Sequence, residues 1–408
     1  MKSNSYGFLI LLWSSIFLGG LTGWILGPQA QSLKPLGDIF LNLMFTFVVP
    51  LVFLSISSAI AGVGNVRKIG KIAANMIGVF ILLSLVAAVF MMAVVILFPP
   101  AQNVLMDLSP LQNRPQFNLA EQGVSIFTVS DFIKVFSREN MLALIVFSAF
   151  VGFALASLGE KAKGLTQLLN MGAEVFMKII SYIMYYAPVG FFAYFAVLAA
   201  ELGPQLLTTY SRATLIYYGA ALIYFVFVYT LFAYLAGKKP AVKTFWGEVS
   251  LPAVTALATC SSAASIPANL QAAQKMKLPA EVYEMVIPLG SLIHKEGSIL
   301  GAMVKIAFLF GIFHLSFTTP SAMLLAILTS LLVGLVMGAI PSGGLIGEML
   351  ILSIYGFPSQ YLMVIAAISL LIDPLATMLN VTGNTVSAML ITRLNQSKCS
   401  LLPERPIF

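Results

Sequence analysis

Charged side chains are scarce in this chain. Only 9% of its 408 residues are Asp, Glu, Lys or Arg, against about 25% in ordinary soluble domains. That scarcity excludes a solvated globular surface. The lack of any basic block excludes a nucleic-acid partner, despite a formal net charge of +7. Cysteine is nearly missing too: Cys260 and Cys399 give neither a disulfide framework nor metal-ligand spacing. With two histidines in the whole chain, no Ser–His–Asp set and no phosphate-cradling glycine loop can be assembled, which argues against an enzyme.

What fills the chain is apolar: 59% of residues belong to the AVILMFWYC set. A bilayer core about 30 Å thick takes roughly 20 apolar residues per helix. Runs of that order occur at 6–27, 37–63, 73–99, 129–158, 166–200, 207–236, 280–314 and 359–394. They predict an all-α integral membrane protein with eight transmembrane helices. The first run follows Lys2 but is longer than the apolar core of a signal peptide, so it reads as a membrane helix. Two further apolar stretches, 241–277 and 318–356, are too short for two crossings. Cys260-Ser261-Ser262 interrupts the first and Pro341-Ser342-Gly343-Gly344 the second. Non-helical backbone is tolerated at membrane depth only where protein or water covers it, so the pair predicts two re-entrant hairpins around an interior binding site. Basic residues cluster at Arg67, Lys68 and Lys71, at Lys161 and Lys163, and at Lys238, Lys239 and Lys243. This alternation predicts a cytoplasmic N-terminus, with the polar stretch 100–128 outside.

Polar residues inside those runs mark the candidate site. Asp373, Thr377, Asn380 and Asn384 lie at offsets of 0, 4, 7 and 11, which puts them on one helix face. Asn and Thr serve also as glue between helices. A charge at mid-bilayer costs about 2.5–3.5 kcal/mol on the permissive insertion scale, so Asp373 points to a ligand, an ammonium or a cation. The second cluster is His294-Lys295-Glu296-Gly297-Ser298, with Gly290 one turn before it. Three ionisable residues in a row cannot all face one way. A self-neutralising Lys–Glu pair, a helix unwound to present carbonyls, and a proton carried by His294 are the alternatives here. The hydroxyl-rich tip Thr259–Ser265 offers a cradle for a carboxylate. Glu348 finds no role.

These residues resemble the dicarboxylate/amino-acid:cation symporter family. The carriers are Leu33-Lys34-Pro35-Leu36-Gly37-Asp38, Val49-Pro50-Leu51-Val52-Phe53, Tyr186-Ala187-Pro188-Val189-Gly190, the Ser261-Ser262…Ile266-Pro267 tip, Ile287-Pro288-Leu289-Gly290 and Asn380-Val381-Thr382-Gly383. The resemblance implies a homotrimer in which a fixed scaffold supports an elevator-like transport domain. It divides the chain into scaffold helices 1–2 (1–72), helix 3 with the outer loop (73–128), scaffold helices 4–5 (129–206), helix 6 (207–240), a core transport domain (241–395) and a cytoplasmic tail (396–408). It assigns Ser261, Ser262 and Asn380 to a substrate α-carboxylate and Asp373 to its amino group. Ala376 and Thr377 join them, with Ala339, Pro341 and Gly343 of the second hairpin as the gate. A cation or proton site would draw on Ser84, Gly290, His294, Lys295, Glu296, Asn380 and Asn384.

Two departures shape the expectation. Where relatives with acidic substrates carry an arginine, this chain has Ala376, so no guanidinium awaits a side-chain carboxylate. The family's Asn-Met-Asp-Gly-Thr motif reads His294-Lys295-Glu296-Gly297-Ser298, and an aspartate is replaced by Asn384. Both changes shift local charge against a cation. The sequence therefore predicts a carrier of a small zwitterionic, neutral amino acid, proton-coupled or sodium-independent, with no cofactor beyond H+ or Na+ as coupling ion. The Lys295 ammonium, paired with Glu296, would stand where sodium otherwise lies, relay a proton, or lock the protein. The alternatives are a sodium- or proton-coupled symporter of dicarboxylates or acidic amino acids, with Lys295 as a counter-charge, and a channel or receptor-like membrane protein. Expected partners are membrane lipid and the small-molecule substrate.

Overall fold

The computed structural model describes residues 5–62, 66–101, 128–137, 140–202, 205–339 and 344–396, and among them it contains helices and turns but no strand. Helices α1 (Ser5–Leu26), α2 (Lys34–Gly62) and α3 (Val66–Leu97) follow the first three apolar runs. A short helix, α4 (Phe132–Val135), is capped by Asp131, whose carboxylate accepts the Ile133 N–H at 3.1 Å. The long helix of that run, α5 (Met141–Leu158), starts only after it. The run 166–200 is two helices rather than one. α6 (Lys163–Ile183) ends in a turn, and α7 (Ala187–Leu202) restarts with Pro188 in its first turn, where a missing N–H is harmless. Hydropathy misses this break because Met184, Tyr185 and Tyr186 continue the apolar pattern.

α8 (Gln205–Ile223) passes through a π-helical turn, Tyr224–Val228, into α9 (Tyr229–Glu248), which breaks at Gly237 and Lys238 ahead of Pro240. Two ten-residue helices follow, α10 (Ser250–Thr259) and α11 (Ile266–Lys275), joined through Cys260 in the left-handed region (φ 48°). The run 280–314 is divided into α12 (Ala280–Ile293) and α13 (Glu296–Ile312) by His294 and Lys295, whose φ of −127° and −136° are extended. α14 (Pro320–Ala339), α15 (Gly344–Tyr355) and α16 (Leu362–Gln396) complete the chain.

Five stretches of the described residues are both long and apolar enough to cross a membrane: Ala74–Leu97, Ala143–Ile183, Thr208–Glu248, Pro320–Met337 and Leu362–Asn395. Pro320–Met337 is the first arm of a segment expected to turn back within the bilayer, yet it is long enough to span one. Large apolar side chains such as Phe17, Ile25, Leu97 and Phe150 face outward, as lipid allows and water does not. Helices α1, α2, α5, α6 and α7 pack mainly on one another, while α3, α8 to α13 and α15 gather round α16 and α14 packs on α12, α13, α15 and α3. α1 lies close on α7 because Gly19 and Gly23, one turn apart, leave room for the backbone at Phe192 and Ala196. α13 is buried along nearly its whole length, Glu296 and Lys305 included.

Candidate functional site

A cavity of about 520 Å³ opens between the two helix sets, with Leu12, Ile180, Met184 and Phe191 on one wall. The other wall carries the polar groups. α16 supplies Ser369, Asp373, Thr377 and Asn380, which recur every three or four residues and so share the face turned to the cavity. Thr377 Oγ1 donates to Asp373 Oδ1 at 3.4 Å. Asn380 is engaged reciprocally with α13: its Oδ1 accepts the Ser298 N–H (3.2 Å) and its Nδ2 donates to Ser298 Oγ (3.1 Å). Ala376 lines the same face, and Gly297 lets α13 approach so closely that a Cβ there would strike the Ala376 backbone.

The tip between α10 and α11 contributes Ser261 and Ser262. Much of its hydrogen-bonding capacity is used within the turn. The Ser261 N–H donates to Thr259 Oγ1 (3.3 Å), the Ala264 N–H to Ser261 Oγ (3.2 Å), and Ser265 Oγ to the Ser261 carbonyl (2.9 Å). The turn is thereby set, and the Ser262 hydroxyl is left facing Lys295.

At the break between α12 and α13 the three ionisable side chains diverge. His294 stacks on Phe80 (centroids 4.4 Å apart) and its Nδ1 lies 3.0 Å from Asn384 Oδ1. An amide oxygen only accepts, so Nδ1 carries the hydrogen and buried Nε2 has no partner among the described residues. Lys295 Nζ donates to Ser262 Oγ at 2.7 Å and has no ion-pair partner among the described residues. Glu296 turns the opposite way, accepting from Tyr224 at Oε1 (2.9 Å) and meeting the Tyr229 hydroxyl at Oε2 (2.7 Å). The expected Lys295–Glu296 pair is therefore absent: consecutive residues at a helix start point to different faces, and each finds its own partner. Gly383 makes room for this cluster, since a Cβ there would overlap Glu296 Oε2 and the Tyr229 hydroxyl.

Glu348, without a role from sequence, is half of a buried ion pair. Lys305 Nζ lies 3.2 Å from Glu348 Oε1 and donates to Ser369 Oγ at 2.8 Å, and the Ser369 hydroxyl donates to the same carboxylate. The two charged side chains are 2% and 1% exposed. All three residues line the cavity.

The remaining sequence-derived residues are placed as follows. Gly290 lies against Asn384 and Phe80. Ser84 is half-buried on α3, one turn beyond Phe80, and does not line the cavity. Ala339 ends α14, while Pro341 and Gly343 lie outside the described residues. Lys305, Ser369, Tyr224 and Tyr229 escaped the sequence reading. A lysine in an apolar run was signal enough for Lys305, and Ser369 continues the α16 stripe by one turn. The tyrosines gave no signal, because their spacing of five matches no α-helical face. The π turn, closed by the Tyr229 N–H on the Tyr224 carbonyl, brings them together.

Against known proteins, the profile described as the sodium:dicarboxylate symporter family matches residues 8–394. The proton/sodium-glutamate symport protein of Bacillus caldotenax is 29% identical, over 94% of this chain and 94% of its own. The proton/glutamate-aspartate symporter of Escherichia coli (strain K12) is 26% identical, over 94% of this chain and 92% of its own. The C4-dicarboxylate transport protein 1 of Ralstonia nicotianae is 24% identical, covering 96% and 93%.

Proposed function

The chain belongs to the sodium:dicarboxylate symporter family, transporters and not enzymes, and from that premise we propose that it carries a small acidic solute, a dicarboxylate or acidic amino acid, together with protons. The observation that carries this reading is the Lys295 ammonium, held on Ser262 in the cavity and in no ion pair among the described residues. It supplies an anion-binding charge that Ala376 cannot. The expectation of a neutral side chain rested on that missing guanidinium, and the relatives compared, which are named for glutamate, aspartate or C4-dicarboxylates, lend it no support. Lys295 with the tip serines would take one carboxylate. Asp373 would take an amino group where the substrate has one.

Sodium is the less favoured coupling ion. His294 and Asn384 are bonded to each other where the resemblance implies cation ligands, and neither brings a negative charge. Tyr229 lies 2.7 Å from Glu296 Oε2 and 2.8 Å from the Leu379 carbonyl, with one hydrogen to give. Both contacts are satisfied at once when Glu296 itself carries a proton and donates it. A protonated Glu296 offers a cation no charge. The separate packing of the two helix sets supports a scaffold of α1, α2 and α5 to α7 with the remainder moving as an elevator, and the scaffold is the natural place for homotrimer contacts in the inner membrane.

Uptake by purified protein in liposomes tests the reading. Labelled L-aspartate, fumarate and L-alanine are offered under an inward proton gradient, an inward sodium gradient, or neither. Proton-stimulated uptake of aspartate or fumarate, indifferent to sodium, is the expected result. Uptake of alanine alone would restore the neutral substrate, and sodium-driven uptake would overturn the proton coupling.

A further inference from the structure

The Lys305–Glu348–Ser369 cluster joins three elements that meet at the cavity: α13, the second arm of the α14–α15 pair, and α16. One oxygen of Glu348 accepts from both Lys305 and Ser369, while Oε2 is buried with no hydrogen-bond partner among the described residues. This is a carboxyl group with one oxygen saturated and the other unsatisfied, in a place where an unmet acceptor is costly. The charged groups around it are few. Lys305 comes from α13, and α16 brings Ser369 with Asp373 one turn further on. α14 (Pro320–Ala339) and α5 (Met141–Leu158) bring no ionisable residue to their contacts with α15.

Resting on the reading of an acidic substrate, we propose that Lys305 binds the second carboxylate of that substrate and that Glu348 releases Lys305 by taking up a proton. In this structure the ammonium is held by Glu348. A substrate carboxylate arriving at Lys305 sets two buried carboxylates against one ammonium, and like charges at such a distance do not both stay ionised. Glu348 takes one H+ from water, its carboxylate becomes a carboxylic acid, and its interaction with Lys305 is exchanged for that of the substrate. No covalent bond changes besides the new O–H. The cluster is neutral before the exchange (Lys305 positive, Glu348 negative) and neutral after it (Lys305 positive, substrate carboxylate negative, Glu348 uncharged). Each acidic substrate is thus bound with one proton on Glu348. Lys295 and Lys305 then divide the work of one guanidinium: the first serves the carboxylate at the hairpin tip, the second the distal one.

The test is calorimetric binding of fumarate and of L-aspartate to the purified full chain between about pH 6 and about pH 8, where both carboxyls of each probe are ionised. For the wild type, affinity is expected to rise by about tenfold for each unit fall in pH while one proton is taken up per ligand. Glu348→Gln is expected to abolish that slope. Because a lone Lys305 substitution strands a buried carboxylate, the second variant removes both charges together, K305M/E348L. It is expected to melt as the wild type does and to bind either probe at least about tenfold more weakly at low pH. A slope that survives Glu348→Gln, or a double variant that binds as tightly as the wild type, overturns the proposal. Wild type that binds neither probe overturns the acidic-substrate reading itself, a result distinct from tight binding that Glu348→Gln leaves untouched.

Discussion

The two helix sets differ in whether they bury ionisable side chains. In the first, hydroxyls donate to backbone carbonyls, Ser15 to Leu11 on its own helix and Ser57 to Ser148 on α5, and the ion pairs Lys34–Asp38 and Lys163–Glu160 are exposed. Nothing charged is enclosed there by the described contacts. In the second, Lys295, Glu296, Lys305 and Glu348 are all buried, each with a partner on another element. Both sets use small residues for close approach, as Gly19 and Gly23 do in the first and Gly297 and Gly383 in the second, and the second adds buried charged groups. Burying charge carries a large desolvation cost, which a merely structural bundle has no reason to accept. The difference identifies the part of the molecule in which charge is used rather than avoided.

Substitutions can widen or close that difference. The largest effect is expected from Lys305→Met, which leaves Glu348 buried and unpaired. It should lower stability by about 3–5 kcal/mol, with the loss recovered on adding Glu348→Leu; thermal melts of the detergent-solubilised protein give the comparison. Next comes Gly383→Ala, which drives a methyl group into Glu296 and Tyr229. About 1–3 kcal/mol should be lost in the same melts. Tyr224→Phe removes a single donor from Glu296 and should cost about 1.5 kcal/mol, while slowing proton-stimulated uptake more than binding. Asp38→Asn breaks an ion pair whose side chains are 58% and 46% exposed. A change of about 0.5 kcal/mol or less is expected, vanishing in high salt. An equal response of all four positions would erase the contrast between the sets.

Much of the architecture was legible as hydropathy, since a bilayer dictates the length of an apolar run. What hydropathy misses is a break made of apolar residues, and so 166–200 reads as one helix although Tyr186-Ala187-Pro188 divides it. At the site, the sequence singles out Asp373, His294, Lys295 and Glu296 because ionisable groups stand out at membrane depth. Direction was not legible. Neighbours in sequence pair by default in a linear reading, so Lys295 was matched with Glu296, whereas the extended backbone at the break sends one to Ser262 and the other to Tyr224 and Tyr229. Glu348 stood out but its partner did not, because Lys305 precedes it by more than forty residues and only the packing of α15 on α13 brings them together.

The π turn at Tyr224–Val228 has a bearing on how this chain can be recombined with its relatives. It gives the helix one residue more than a regular α-helical ladder uses over the same rise, so everything beyond Tyr229 is rotated by about a quarter turn relative to an uninterrupted helix. A chimera joined inside this segment to a chain lacking the extra residue would inherit that phase error. Its tyrosine would face a different neighbour, although every residue of the graft was correct. Crossover points in this helix therefore belong before Ile223 or after the Gly237–Lys238 kink, where the backbone resets its own phase.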